Sequence, residues 1–180
     1  MTAQQIDQQI YDMAIANGFN KTSALFVVAQ ARLESADYTS NVFKKNNNAF
    51  GMKFIKQPLA TKGTPAPASE GDFYAKFTTP ADSAKDVITR NYQKTRAGIT
   101  PDMIKQAQTP TEYSTLLKKR GYYGASASQY ANGITSKLKK IKIADTLPGV
   151  TIVTPKKKFN ALIIGAVALF GIFWYVRKKR

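Results

Sequence analysis

The run Phe159–Val176, FNALIIGAVALFGIFWYV, constrains this chain more than any other feature. Its 18 residues include one polar side chain, Asn160. As a helix rising about 1.5 Å per residue it spans roughly 27 Å, close to the roughly 30 Å hydrocarbon core of a bilayer. Trp174 and Tyr175 stand at one end, where interfacial anchors belong. Lys156, Lys157 and Lys158 precede the run, and the basic tail 177–180 follows it. A buried core helix is the alternative, but core helices seldom run this long between two basic clusters. The sequence therefore predicts a transmembrane helix over 159–176 in contact with membrane lipid. Basic residues at both ends leave its orientation undecided. Residues 143–158, IADTLPGVTIVTPKKK, read as a linker, with two prolines, a glycine and then charge. That leaves 1–142 as one domain. The N-terminus, Met1-Thr-Ala-Gln-Gln-Ile-Asp, lacks the positive and apolar regions of a secretory signal.

The domain's chemistry is bounded by what it lacks. There is no Cys and no His. A disulfide scaffold, thiolate chemistry, His-based triads and Cys- or His-ligated metal sites are excluded. Nothing suggests a metal or an organic cofactor. Proton transfer near neutral pH falls to carboxylates, Tyr or Lys. Glu occurs three times, at Glu34, Glu70 and Glu112. The formal charge is +16, from 27 basic and 11 acidic residues. Such a surplus favours a polyanionic partner: nucleic acid, anionic lipid or an anionic cell-wall polymer. Eleven of the 27 basic residues lie from Lys137 onward, around the apolar run, and no nucleic-acid-binding module is recognisable. A specific nucleic-acid partner is therefore the weakest reading.

Helix start signals recur along the domain. Thr79-Pro80, Thr100-Pro101 and Thr109-Pro110 each place an N-cap residue before Pro at the first helical position. Asp82, Asp102 and Glu112 follow in the first turns, where the helix dipole favours negative charge. Helices are expected near 3–17, 22–35, 80–95, 101–107, 110–119 and 126–142. Between them, GMKFIK (51–56) and EGDFYAKF (70–77) read as two strands of a β-hairpin. QPLATKGTPAPAS joins them as a long tip.

Glu34 is the first candidate for chemistry. It closes the segment TSALFVVAQARLES, on the face that carries Ala31 and Val27, three and seven residues earlier. Burial there disfavours the charged form, which suits a proton donor. A helix-terminal Glu that reaches water is the alternative, and periodicity leaves both open. Glu70, with Asp72 on the same strand face, offers the second carboxylate that glycosidic chemistry uses. An exposed edge-strand charge is the commoner explanation. Glu112 completes Thr109-x-x-Glu112, a capping box, and is expected to be structural. Tyr74, Tyr92, Tyr122, Tyr123 and Tyr130 are either core residues or rings on which sugar faces stack.

Longer patterns carry a resemblance. AQARLESADYTSNVFKKNNNAFGMKF (29–54) contains Ala29-Gln30-Ala31, Glu34-Ser35, Tyr38, Ser40 and Asn47-Asn48-Ala49-Phe50-Gly51-Met52-Lys53. FYAKFTTPADSAKDV (73–87) and YYGASASQYANGI (122–134) follow in order. Over about residues 8–142 the chain resembles the glucosaminidase family of bacterial and phage wall hydrolases, glycoside hydrolase family 73. The resemblance implies a mainly helical α+β, lysozyme-like domain with a β-hairpin beside the cleft. It implies a catalytic set of Glu34 as the acid, Glu70 as the second carboxylate and Tyr123 as the cleft tyrosine. Asn47, Asn48, Phe50 and Gly51 would form the turn that shapes the substrate groove, with Tyr38 and Tyr74 as further substrate-binding rings. The chain departs from the family pattern at Ala36, in place of Gly, at Asp37, where an aromatic often stands, and at Ser126–Gln129, in place of an acidic turn.

The resulting expectation is hydrolysis of a β-1,4 bond in peptidoglycan glycan strands by an endo-β-N-acetylglucosaminidase. A muramidase or lytic transglycosylase on the same fold is the near alternative. A non-catalytic wall-binding or structural membrane protein is the distant one. A catalytic domain ahead of its membrane helix, without an export signal, fits an enzyme carried in the virion membrane of a phage beside capsid or membrane proteins. A tail-anchored host protein is the other setting.

Overall fold

The computed structural model describes residues 1–68 and 72–144. The apolar run 159–176, the basic tail and nearly all of the linker lie outside the described residues. Among those described, no helix is long and apolar enough to cross a membrane.

Helix α1 (Ala3–Ala16) opens with a capping box, in which Thr2 accepts from the Gln5 amide and Gln5 reaches back to the Thr2 amide. Helix α2 (Lys21–Glu34) is capped by Asn20 and buries residues on nearly all its faces, from Ser23 to Arg32. It is therefore the central helix, with α1 on one side and α7 (Ala127–Leu138) on another. The short helices α5 (Pro101–Lys105) and α6 (Pro110–Lys119) close the remaining sides. The core gathers Ile10, Phe26, Val27, Val28, Ile104, Leu117 and Ile134.

The Thr-Pro starts are where the sequence placed them. Thr79, Thr100 and Thr109 each accept a hydrogen bond from the backbone amide three residues on. The capping box expected at Thr109 is half formed. Thr109 takes the Glu112 amide, but the Glu112 carboxylate accepts from the Gln108 amide at 2.8 Å instead of the cap's own.

Three elements differ from expectation. Helix α4 (Pro80–Val87) passes into a π-helical turn, Ile88–Tyr92, instead of running to 95. The Thr89 hydroxyl donates to the Lys85 and Asp86 carbonyls at 2.7 and 3.2 Å, competing with the helical ladder at that point. Helix α7 stops at Leu138, because the Lys140 and Ile141 amides bond three residues back instead of four. Helix α3 (Asn41–Asn46) was not anticipated, being short and polar; Ser40 caps it and Asn47, in the left-handed region, ends it.

The hairpin has a different first strand. β1 is Ala60–Pro65, inside the stretch read as the tip, and pairs antiparallel with β2 (Phe73–Phe77). Segment 51–56 is not a strand. Gly51 and Lys56 both have positive φ, and the Gln57 side chain bonds the Ile55 amide and the Lys53 carbonyl, so the chain turns back on itself. It still flanks β2 on the free edge, through an isolated bridge between Lys53 and Tyr74.

One buried ionic network fastens α1 to the end of α2. Asp7, 0% exposed, accepts from Arg32 Nε at 2.8 Å, Arg32 Nη2 at 2.6 Å and the Tyr38 hydroxyl at 2.8 Å. Beside it, Asp37 takes Lys137 and Lys140 from the end of α7 at 2.7 and 2.9 Å. Both clusters hold the chain just after Glu34 in place.

Candidate active site

Glu34 is the last residue of α2 and is half-buried. On its carboxylate three parts of the chain meet. Gln30 Nε2, one helical turn earlier, donates to Oε1 at 3.1 Å. The Tyr130 hydroxyl, from α7, donates to the same oxygen at 2.8 Å. The Tyr122 hydroxyl, from the segment before α7, approaches Oε2 at 3.3 Å. Behind Gln30, its Oε1 accepts from Tyr92 of the π turn at 2.9 Å and from Tyr113 of α6 at 2.6 Å.

The phenols around this carboxylate are donors. Burial pushes Tyr130 and Tyr113 well above the ordinary phenol range, and the Glu34 charge adds to it. Burial likewise raises Tyr92. None of the three loses its proton near neutral pH, so none serves as a base. Glu34 is a half-buried carboxyl to which Gln30, Tyr122 and Tyr130 donate. Such a group can hold a proton until a substrate oxygen takes it, and then has hydrogen bonds ready for the charge left behind.

The other residues singled out from sequence divide into groups. Tyr123 does not reach Glu34 directly. Its hydroxyl donates to the Ser114 carbonyl at 2.6 Å, and its ring stacks on Tyr130 at 3.9 Å between centroids and 9° between planes. It thus braces the ring that does reach the carboxylate. Asn47 Nδ2 donates to the Phe77 and Thr78 carbonyls at 3.2 and 2.9 Å. Asn48 accepts from the Met52 amide and donates to the Met52 and Ala75 carbonyls, closing the turn in which Gly51 has φ 58°. Phe50 is buried in the core. Together these four clamp α3 and the turn onto β2, which positions the hairpin through protein–protein contacts. Tyr38 lies in the Asp7–Arg32 network, away from the carboxylate's donors. Tyr74 is buried under Lys53, whose Nζ sits 4.4 Å from the ring centroid. Asp72 is exposed, with φ 66°. Glu70 lies outside the described residues. Glu112 serves its helix start. Among the described residues no group of three acidic side chains is placed to hold a metal ion.

Sequence reasoning gave Gln30 no role beyond the motif and left Tyr92, Tyr122 and Tyr130 undecided. Gln30 was legible, four residues before Glu34 and so on its face. The tyrosines were not, since they arrive from 62 to 96 residues away.

Residues 11–143 match the model of the family Glucosaminidase, described as mannosyl-glycoprotein endo-beta-N-acetylglucosaminidase. A search of the curated proteins finds no match. Among solved structures, a peptidoglycan hydrolase from Sphingomonas sp. A1 is similar, with TM-score 0.57 and 17% identity over 83% of this chain and 100% of that one. A type VI secretion system effector–immunity complex from Pseudomonas protegens gives TM-score 0.57 and 18% identity over 77% and 89%. The glycoside hydrolase domain of Salmonella typhimurium FlgJ gives 0.54 and 16% over 78% and 88%. At these identities the likeness is one of fold.

Proposed function

Because the chain belongs to the glucosaminidase family, we propose that it is a peptidoglycan hydrolase that cuts a β-1,4 bond of the glycan strand as an endo-β-N-acetylglucosaminidase. The observation that carries the reading is Glu34. It is a half-buried carboxyl at the end of the central helix, held by Gln30, Tyr122 and Tyr130. Glu34, protonated, donates to the leaving glycosidic oxygen as the sugar takes on oxocarbenium character. The countercharge comes from Glu70 or from the substrate's own N-acetyl group, and the turnover of Glu70→Gln separates the two. The charge of +16 favours adhesion to an anionic wall.

Residues 159–176 tether the enzyme to a membrane, on the strength of their length, apolarity and basic flanks. A virion membrane is the setting proposed; detection of the protein in purified particles supports it, and its confinement to uninfected cells refutes it.

The test of the reaction is to incubate the full chain with purified peptidoglycan, then reduce the products and weigh them. Reducing N-acetylglucosamine ends support the proposal. Reducing N-acetylmuramic acid ends make it a muramidase, and 1,6-anhydro ends a lytic transglycosylase.

A further inference from the structure

Gln30 deepens the reading of Glu34 as proton donor, and its role rests on that reading. The side chain is 0% exposed, so it does not touch a glycan. An amide oxygen has two lone pairs, and here two phenols occupy them, Tyr92 at 2.9 Å and Tyr113 at 2.6 Å. Turning the amide over would set its oxygen against the Glu34 oxygen and take from both phenols the acceptor they share. The pair of tyrosines therefore locks Nε2 onto Glu34.

We propose that Gln30 is a positioning residue that dictates which oxygen of Glu34 carries the catalytic proton. Oε1 receives two donors, Gln30 Nε2 at 3.1 Å and the Tyr130 hydroxyl at 2.8 Å. Both of its lone pairs are engaged, so a proton has no place on it. The proton resides on Oε2, the oxygen beside Tyr122. In the reaction the Oε2–H bond breaks and the proton passes to the glycosidic oxygen. That oxygen keeps the electron pair of its broken bond to the sugar carbon. The negative charge left on Glu34 spreads to Oε1, where two donors are already aimed. Among the described residues, Tyr113 from α6, Tyr92 from the π turn, Tyr130 from α7 and Tyr122 ahead of it are titratable groups that meet this carboxylate or its amide.

The test uses the full chain carrying Gln30→Met, Tyr92→Phe and Tyr113→Phe together. This triple variant removes the buried polar set as a unit, so it strands no donor or acceptor and keeps side-chain volume. Thermal unfolding checks that it folds. The expected result is a kcat lower by about ten- to a hundredfold, the loss of one hydrogen bond to a charged group, with KM within about twofold. The alkaline limb of the pH profile should also move up, because the carboxylate has lost a donor that favoured it. Tyr113→Phe alone, which leaves Tyr92 on the amide, should move both readouts the same way by less, and it carries the test where the triple variant does not fold. Glu34→Gln is measured alongside. If Glu34→Gln is inactive while the Gln30 variants keep the wild-type kcat and pH profile, Gln30 is a packing residue and the inference is overturned. A loss in kcat without movement of the alkaline limb overturns it too. If Glu34→Gln is fully active, the proton-donor reading itself falls and takes this one with it.

Discussion

Asp7→Ala tests whether the buried network at the end of α2 holds the domain together. Asp7 has no exposure, and Arg32 is nearly as buried. The substitution removes the acceptor of four hydrogen bonds, at 2.8, 3.1 and 2.6 Å from Arg32 and 2.8 Å from Tyr38. It leaves a buried guanidinium with Asp37 at 3.4 Å as a poor substitute. Breaking one side of a buried ion pair typically costs about 3–5 kcal/mol, and a stranded phenol adds about 1 kcal/mol that local relaxation offsets in part. A total of about 4 kcal/mol, divided by an unfolding entropy of roughly 0.3 kcal/mol per kelvin for a domain of about 140 residues, lowers Tm by roughly 13 °C. Thermal unfolding followed by circular dichroism reads this directly. The companion Asp7→Leu, Arg32→Met, Tyr38→Phe removes every partner at once and should regain most of the loss. A drop below about 1 kcal/mol for Asp7→Ala would refute the reasoning, since it would mean that the guanidinium finds water or another partner at no cost.

Other consequences follow from single positions. A Cβ on Gly63 would stand 2.6 Å from Asn46 Oδ1 and 2.7 Å from the Tyr74 backbone oxygen, so Gly63→Ala must move backbone. It should cost about 2 kcal/mol in chemical denaturation, as overpacking does. Gly133→Ala meets the flexible end of Leu33 at 2.9 Å and should cost less than Gly63→Ala in the same assay. The Asp37 carboxyl sits below its ordinary value: burial alone would raise it, but the hydrogen bonds and charges of Lys137 and Lys140 prevail. A folded-state value below the unfolded one means that this contribution to stability is full above the unfolded value of 3.8 and is lost as pH falls through the folded value. Unfolding measured between neutral and strongly acid pH should show that loss, and Asp37→Asn should show less of it.

The parts of the fold legible in the sequence were those written in local chemistry. Thr-Pro pairs mark three helix starts because cap and Pro act within one turn. Glu34 could be placed on an apolar face because its neighbours three and seven residues back are apolar, while its burial was left open. The hairpin's first strand was misplaced because GMKFIK has strand composition, whereas ATKGTP does not. What decides is tertiary: Gly63 permits the close approach to Asn46 and Tyr74, and the positive φ of Gly51 and Lys56 curls segment 51–56. The π turn hinges on one hydroxyl, at Thr89, which no periodicity registers. The site divides in the same way. Its carboxylate and the amide below it are neighbours on one helix, while the tyrosines that orient them come from four other parts of the chain. Tyr122 and Tyr123 are adjacent in sequence and alike in type, and only the turn after α6 decides that the first faces Glu34 and the second the Ser114 carbonyl.

The most direct test of the account compares wild type and Glu34→Gln on purified peptidoglycan, reading release of soluble fragments and sedimentation of the protein with the wall. The account predicts that turnover falls by at least about a hundredfold, as expected when a general acid is removed. Binding to the wall and the unfolding temperature should stay near wild type. Full turnover by Glu34→Gln would contradict the account, because no amide can supply the proton that the leaving oxygen requires.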